Sequence, residues 1–169
     1  MSYVTLLQLA EMPGALELAQ VATDQHAPHA VDAALMELTL VDGDRSAYAA
    51  DDIAQADDAA ARIQEAVTEA GALIDGYIGR RYKLPLASVP GILTAWARAI
   101  ARYKLHSERL SSDATDPIVR DYKDAIRFLE QVAAGKFSLG IEDPDAQGSG
   151  PGDVRIDPGH KVFGREFLP

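Results

Sequence analysis

Histidines, serines and paired aspartates are the side chains in this 169-residue chain whose types could do chemistry. His26-x-x-His29 could be half a metal site, but Pro28 lies between the two. They therefore share no helical face, and no further ligands follow at regular spacing, so they read as loop histidines. Asp51-Asp52 and Asp57-Asp58 could be acid/base pairs. Both fall in the first turns of an acidic helix, where carboxylates are solvated or complement the exposed N–H groups. Ser107, Ser111 and Ser112 have His106 nearby but no Gly-x-Ser-x-Gly around them. "GSGPG" at 148–152 lacks the Gly-Lys-Ser/Thr that cradles phosphate and reads as a linker. The chain has no cysteine, which excludes disulfides, zinc thiolates and cysteine nucleophiles. No constellation unites nucleophile, base and stabiliser. The expectation is a non-enzyme without cofactor or metal.

One cluster stands apart. "ALIDGYIGRRYKLPL" (72–86) places Arg80, Arg81, Tyr82 and Lys83 at the end of a helix, followed by Leu84-Pro85-Leu86. The cations could simply complement the negative end of the helix dipole. The charge distribution offers a second reading. Residues 1–78 hold 14 acids and 2 bases, whereas residues 79–139 hold 6 acids and 11 bases. Such polarity suits a partner of opposite sign, and a second copy of the chain qualifies. Asp57, Asp58 and Glu65 are the candidate acidic counterparts. A third reading is a DNA-binding or packaging-associated module using the basic 80–127 segment, although a net charge of −10 speaks against it.

These residues must be positioned by helices. Thr5-x-x-Gln8 is a capping box, so a short helix starts near Leu6. Pro13-Gly14 interrupts it, and a second piece runs from Ala15 to about Ala22. Residues 23–50 are weakly periodic: "TDQHAPHAVD" reads as loop, and "ALMELTLVDGD" as a short strand or an irregular arm. From Asp51 one stripe is clear. Ile53, Ala56, Ala60, Ile63, Val67, Ala70, Ile74 and Tyr77 predict a long helix over 53–78. The residue before Pro85 is pushed out of the helical region. A further helix opens at "SVPG", with Ile92 (or Leu93), Trp96, Ala99 (or Ile100) and Tyr103 inward, and ends near Leu110. Asp116-Pro117 opens another, with Ile118, Tyr122, Ile126, Leu129 and Val132 inward, and Gly135 closes it. After Gly140 the chain turns Gly/Pro/Asp-rich, yet Val154, Ile156, Phe163 and Phe167 recur there. The alternation in "DVRID" would suit a strand added to a partner's sheet edge. No apolar run approaches the roughly 20 residues that span a bilayer. "MSYVTLLQLAEM" does not read as a signal peptide, and with no cysteine this fits synthesis in a cytoplasm.

Four stretches, "MSYVTLLQL", "AGALIDGYIGRRYKLPLASVPGIL", "AIARYKLHSER" and "VRDYKDAIRFLEQVAAGKFSLG", resemble a family of small head–tail morphogenesis proteins of Mu-like bacteriophages and prophages. They span about half the chain, most densely at 72–139. The departure lies at about 24–52, which reads as an insertion or expanded arm. The resemblance implies an all-α fold: a small helical bundle with one long helix, an irregular arm over about 23–50 and an extended C-terminal tail. Residues 1–140 would be the helical connector domain and 141–169 a docking tail. It implies a head–tail connector or adaptor subunit of the virion neck, forming a homo-oligomeric ring of twelve beneath the portal protein. Other neck proteins, a stopper or tail terminator, would be neighbours, and genomic DNA would pass through without sequence-specific binding. No membrane and no catalytic residues come with the family. Arg80, Arg81, Tyr82 and Lys83, with Asp57, Asp58 and Glu65, would then form subunit or portal contacts. Val154, Ile156, Phe163 and Phe167 would anchor the tail.

Overall fold

Three of the described helices open where a side chain satisfies their first N–H groups. The computed structural model describes residues 2–106 and 116–141. In α1 (Leu6–Leu9) the Thr5 hydroxyl accepts from the Gln8 N–H, and the Gln8 side chain accepts from the Thr5 N–H. This is the reciprocal cap expected from Thr5-x-x-Gln8. Met12 is extended (φ −154°, ψ 117°), so the chain kinks before Pro13. Gly14 follows with φ 106°, a value that suits glycine, and α2 (Ala15–Ala22) begins. The buried Thr23 hydroxyl donates to the Ala19 carbonyl and accepts from the Val31 N–H at 3.1 Å. One side chain thus ends α2 and pins the loop after it.

The arm contains a helix where the sequence suggested a strand or irregular chain. Asp32 accepts from the Ala34 and Leu35 N–H groups and starts α3 (Ala33–Leu40). Leu35, Met36 and Leu40 are buried, a helical spacing that overrides the two-residue step of Leu38 and Leu40. The loop before it behaves as expected.

α4 (Ala50–Ile78) starts three residues earlier than the stripe suggested and runs about 43 Å at 1.5 Å per residue. Ala56, Ala59, Ala66 and Ala70 are buried along it, as are Ile63, Ile74 and Ile78. Small residues let α2 and α3 approach its first half; the larger ones fill the core it shares with α5 (Gly91–His106) and α6 (Pro117–Ala133). In α5 the bracketed alternatives Leu93 and Ile100 are the buried ones, and Ile92 is exposed. The expected end near Leu110 lies outside the described residues. Asp116 caps α6 at 2.8 Å through the Ile118 N–H, with Pro117 at the first helical position. Gly135 ends it with φ 74°. Aromatic pairs tie α5 to α6: Tyr103 stacks on Tyr122 with centroids 3.9 Å apart, and Trp96 on Phe128 at 5.8 Å. The fold is all-α, with no strand among the described residues. No described helix is long and apolar enough to cross a membrane.

Candidate subunit interface

The cationic cluster at the end of α4 divides into an inward and an outward half. Backbone bonds from Arg81 and Tyr82 to the Ile78 carbonyl wind the chain tightly past Gly79. That turn sends Tyr82 inward, where it is 3% exposed. Its hydroxyl accepts from the Leu139 N–H at 3.1 Å, joining the end of α4 to the segment after α6. The half-buried Arg81 lies over the Tyr82 ring, 5.8 Å from its centroid. A Cβ added at Gly135 would stand 3.3 Å from Arg81 Nη1, so this guanidinium also packs on the end of α6. Arg80 and Lys83 point to solvent and make no hydrogen bond or ion pair among the described residues. Tyr3 reinforces the same end. Its buried hydroxyl donates to the Asp75 carboxylate, and burial together with that carboxylate pushes the phenol well above its ordinary range.

The acids lie at the other end. Asp57 accepts from Arg45 of the arm. Asp58 and Glu65 are exposed and without a partner among the described residues. They share a face of α4 with Ala54, Ala61, Ala72 and Gly76, all exposed, at steps of three, four, seven or eleven residues. The sequence reading missed this row of small and acidic residues because alanine marks no face by its type. From Asp57 to Arg80 the helix rises roughly 35 Å, too far for the two groups to meet within one chain.

Other charged groups serve the fold. Arg62 donates to the Ala22 carbonyl at 2.9 Å and to Asp24 at 2.7 Å, neutralising the end of α2. Lys104 bonds Glu69 at 2.5 Å across α5 and α4. Glu17 of α2 receives both guanidinium arms of Arg102, at 2.5 and 2.6 Å, and contacts His106 at 2.9 Å. Burial pushes the Glu17 carboxyl up, but the bonds from Arg102 and His106 outweigh it and leave it below its ordinary value. His29 contacts Asp52 at 3.3 Å, and His26 donates its backbone N–H to Asp24. The described residues contain no group of three or more metal-ligating side chains. Ser107, Ser111 and Ser112 lie outside the described residues, as do Val154, Ile156, Phe163 and Phe167.

Residues 3–157 match the family model described as bacteriophage Mu, Gp36. The chain belongs to the bacteriophage Mu Gp36 family. It is 43% identical over 105 residues to the Mu-like prophage FluMu protein gp36 of Haemophilus influenzae, covering 62% of this chain and 72% of that protein. It is 37% identical over 115 residues to gene product J of Escherichia phage Mu, covering 66% of this chain and 76% of that protein. The resemblance drawn from the four quoted stretches therefore holds at the level of a Mu-like phage protein family. The match also runs through the arm and into the Gly/Pro-rich segment after residue 141.

Proposed function

We propose that this phage protein is a head–tail connector or adaptor subunit of the virion neck. Copies form a closed ring beneath the portal protein, a dodecamer in the reading the family resemblance gives, with neighbouring neck proteins below. The observation that carries the reading is the charge polarity of α4. An exposed row of Ala54, Asp58, Ala61 and Glu65 lies near one end, and the outward cations Arg80 and Lys83 lie at the other. A closed ring needs two different, complementary surfaces on each subunit, because every contact is head-to-tail. Small residues let a neighbouring helix approach, and the flanking acids offer partners to cations. A net charge of −10 also suits a channel wall past which DNA slides, since clustered cations would neutralise phosphates and grip it. The tail carrying Val154, Ile156, Phe163 and Phe167 serves as the docking arm. The chain does no catalysis in this role.

Charge reversal tests the proposal. Arg80→Glu with Lys83→Glu alters two exposed side chains and leaves the Tyr82 junction intact. Light scattering after size exclusion, on the protein alone and with the portal protein of the same genome, should show a defined ring for the wild type. The reversed variant should remain monomeric, and mixing it with Asp58→Lys, Glu65→Lys protein should restore mixed contacts. Unchanged rings from the reversed variant would remove the polarity argument. A monomer with tight, steeply salt-dependent DNA binding would favour the packaging-associated alternative.

A further inference from the structure

The kink at Met12–Pro13 opens a groove of about 430 Å³ between the start of α2 and α5. Ala95 and Ala99 form its α5 wall, and Met12 and Pro13 face them. Met12 in its wall is 58% exposed, and Ile92, one turn before Ala95 on α5, is 37% exposed; Glu17, Arg98, Arg102 and Asp121 complete the lining. Its polar groups are unevenly satisfied. Arg102 is held by Glu17, but among the described residues the Arg98 side chain reaches the Met12 sulfur alone, at 3.2 Å. Arg98 Nε is shielded from solvent and meets no acceptor among the described residues. The groove's own carboxylates are engaged, Glu17 by Arg102 and Asp121 by Arg120. A buried donor without an acceptor is costly, so the groove suits a ligand with an apolar face that also brings an acceptor such as a carboxylate.

The chain carries such a segment. In Asp153-Val154-Arg155-Ile156-Asp157 an extended backbone puts Val154 and Ile156 on one face and two carboxylates with one cation on the other. The described residues of a second copy offer no sheet edge, so a groove is the receptor that another copy can provide. We infer that the groove between the α1–α2 kink and α5 seats the 153–157 segment of a neighbouring copy, with an aspartate of that segment on Arg98. The inference deepens the ring reading and rests on it. Phe137 packs on Trp96, with centroids 6.1 Å apart, so the chain leaves α6 on the Trp96 side of α5. Around that helix Arg98 lies about 160° from Trp96 by the shorter way, and Ala95 and Ala99 about 100° and 60° from it. The 13 residues from Ile141 to Val154 reach up to about 43 Å, enough to cross to the next subunit.

The absence of cysteine gives the test a clean background. Full-length Ala95→Cys and Ile156→Cys proteins, one carrying a mass tag, are mixed where light scattering reports assembly and are then oxidised. The expected product is a mixed disulfide dimer, and the double variant Ala95→Cys, Ile156→Cys should give a ladder of linked chains. Arg98→Glu should lower the yield several-fold, and Asp153→Arg with Asp157→Arg in the partner should restore it. Assembly without a bond between positions 95 and 156, or a double variant that closes only within one chain, would overturn the inference while leaving the ring intact. Scattering that reports a monomer throughout, with or without the portal protein, would instead remove the ring reading and this contact with it.

Discussion

Replacing Tyr82 with phenylalanine isolates a single bond in the junction that closes the bundle. The ring, its place under Arg81 and its packing all persist; only the hydroxyl is lost. That hydroxyl is the acceptor for the Leu139 N–H, and both residues are buried. Phenylalanine offers no acceptor, and water has little access at 3% exposure. The Leu139 N–H is then left unsatisfied at a cost of about 1–3 kcal/mol. For a protein of this size, 1 kcal/mol corresponds to a shift of roughly 2–4 °C or somewhat more in Tm. The variant should therefore melt roughly 2–12 °C lower. Urea unfolding followed by circular dichroism at 222 nm gives the free energy; an unchanged slope would show that the native state remains as compact. Hydrogen exchange gives the location. The Leu139 amide should lose protection in the variant, while amides in the middle of α4 change only by the global loss. A stability within about 0.3 kcal/mol of wild type, with Leu139 still protected, would refute the reasoning. It would mean that the segment after α6 is held by Phe137 and Leu139 packing alone.

Acid should unfold the protein partly through Glu17. Its carboxyl is held below its ordinary value by Arg102 and His106, so its contribution is complete above the unfolded-state value near 4.3 and is lost as pH falls through the folded value. Urea midpoints between about pH 6 and 3 should fall on the acid side in wild type and fall less steeply in Glu17→Gln. That variant should also be less stable by about 1–2 kcal/mol at neutral pH; parallel acid limbs for the two proteins would refute the assignment. Gly79→Ala should destabilise even though Gly79 has helical dihedrals (φ −63°, ψ −12°) and alanine is the better helix former by about 1 kcal/mol. The added Cβ would stand 2.8 Å from the Asp75 carbonyl oxygen and 3.2 Å from a Leu84 methyl, contacts that force backbone or side chain to shift. A net loss of about 1 kcal/mol by thermal melt is expected; a gain would show that the turn after α4 yields freely.

How far the sequence carried depends on what each residue type signals. Thr5, Asp116 and Gly135 mark helix ends by their own chemistry, and all three do so in the structure. The long stripe of α4 was legible because its buried residues recur through seven turns, so one ambiguous position changes little. α3 was not, because eight residues hold only two turns and Leu38 and Leu40 fit a period of two as well as Leu35, Met36 and Leu40 fit a helix. Contact with α2 and α4 decides it, and that contact is invisible in a local window.

The cationic cluster shows the same limit at the candidate interface. Four adjacent polar residues, Arg80 to Lys83, read alike in sequence, yet a turn of the chain past Gly79 assigns them opposite tasks. Tyr82 and Arg81 are spent on closing the bundle against Leu139 and Gly135; Arg80 and Lys83 stay exposed. The groove beside Met12 was hidden for a related reason. Ala95 and Ala99 are small, and their type gives no hint that a kink one helix away leaves them uncovered. What the sequence did hold was the complement. An alternating Asp-Val-Arg-Ile-Asp has no strand to pair with among the described residues, and in the proposed contact its apolar face takes the groove of a neighbouring copy. In a head-to-tail ring each subunit would supply that surface to one neighbour and take it from the other.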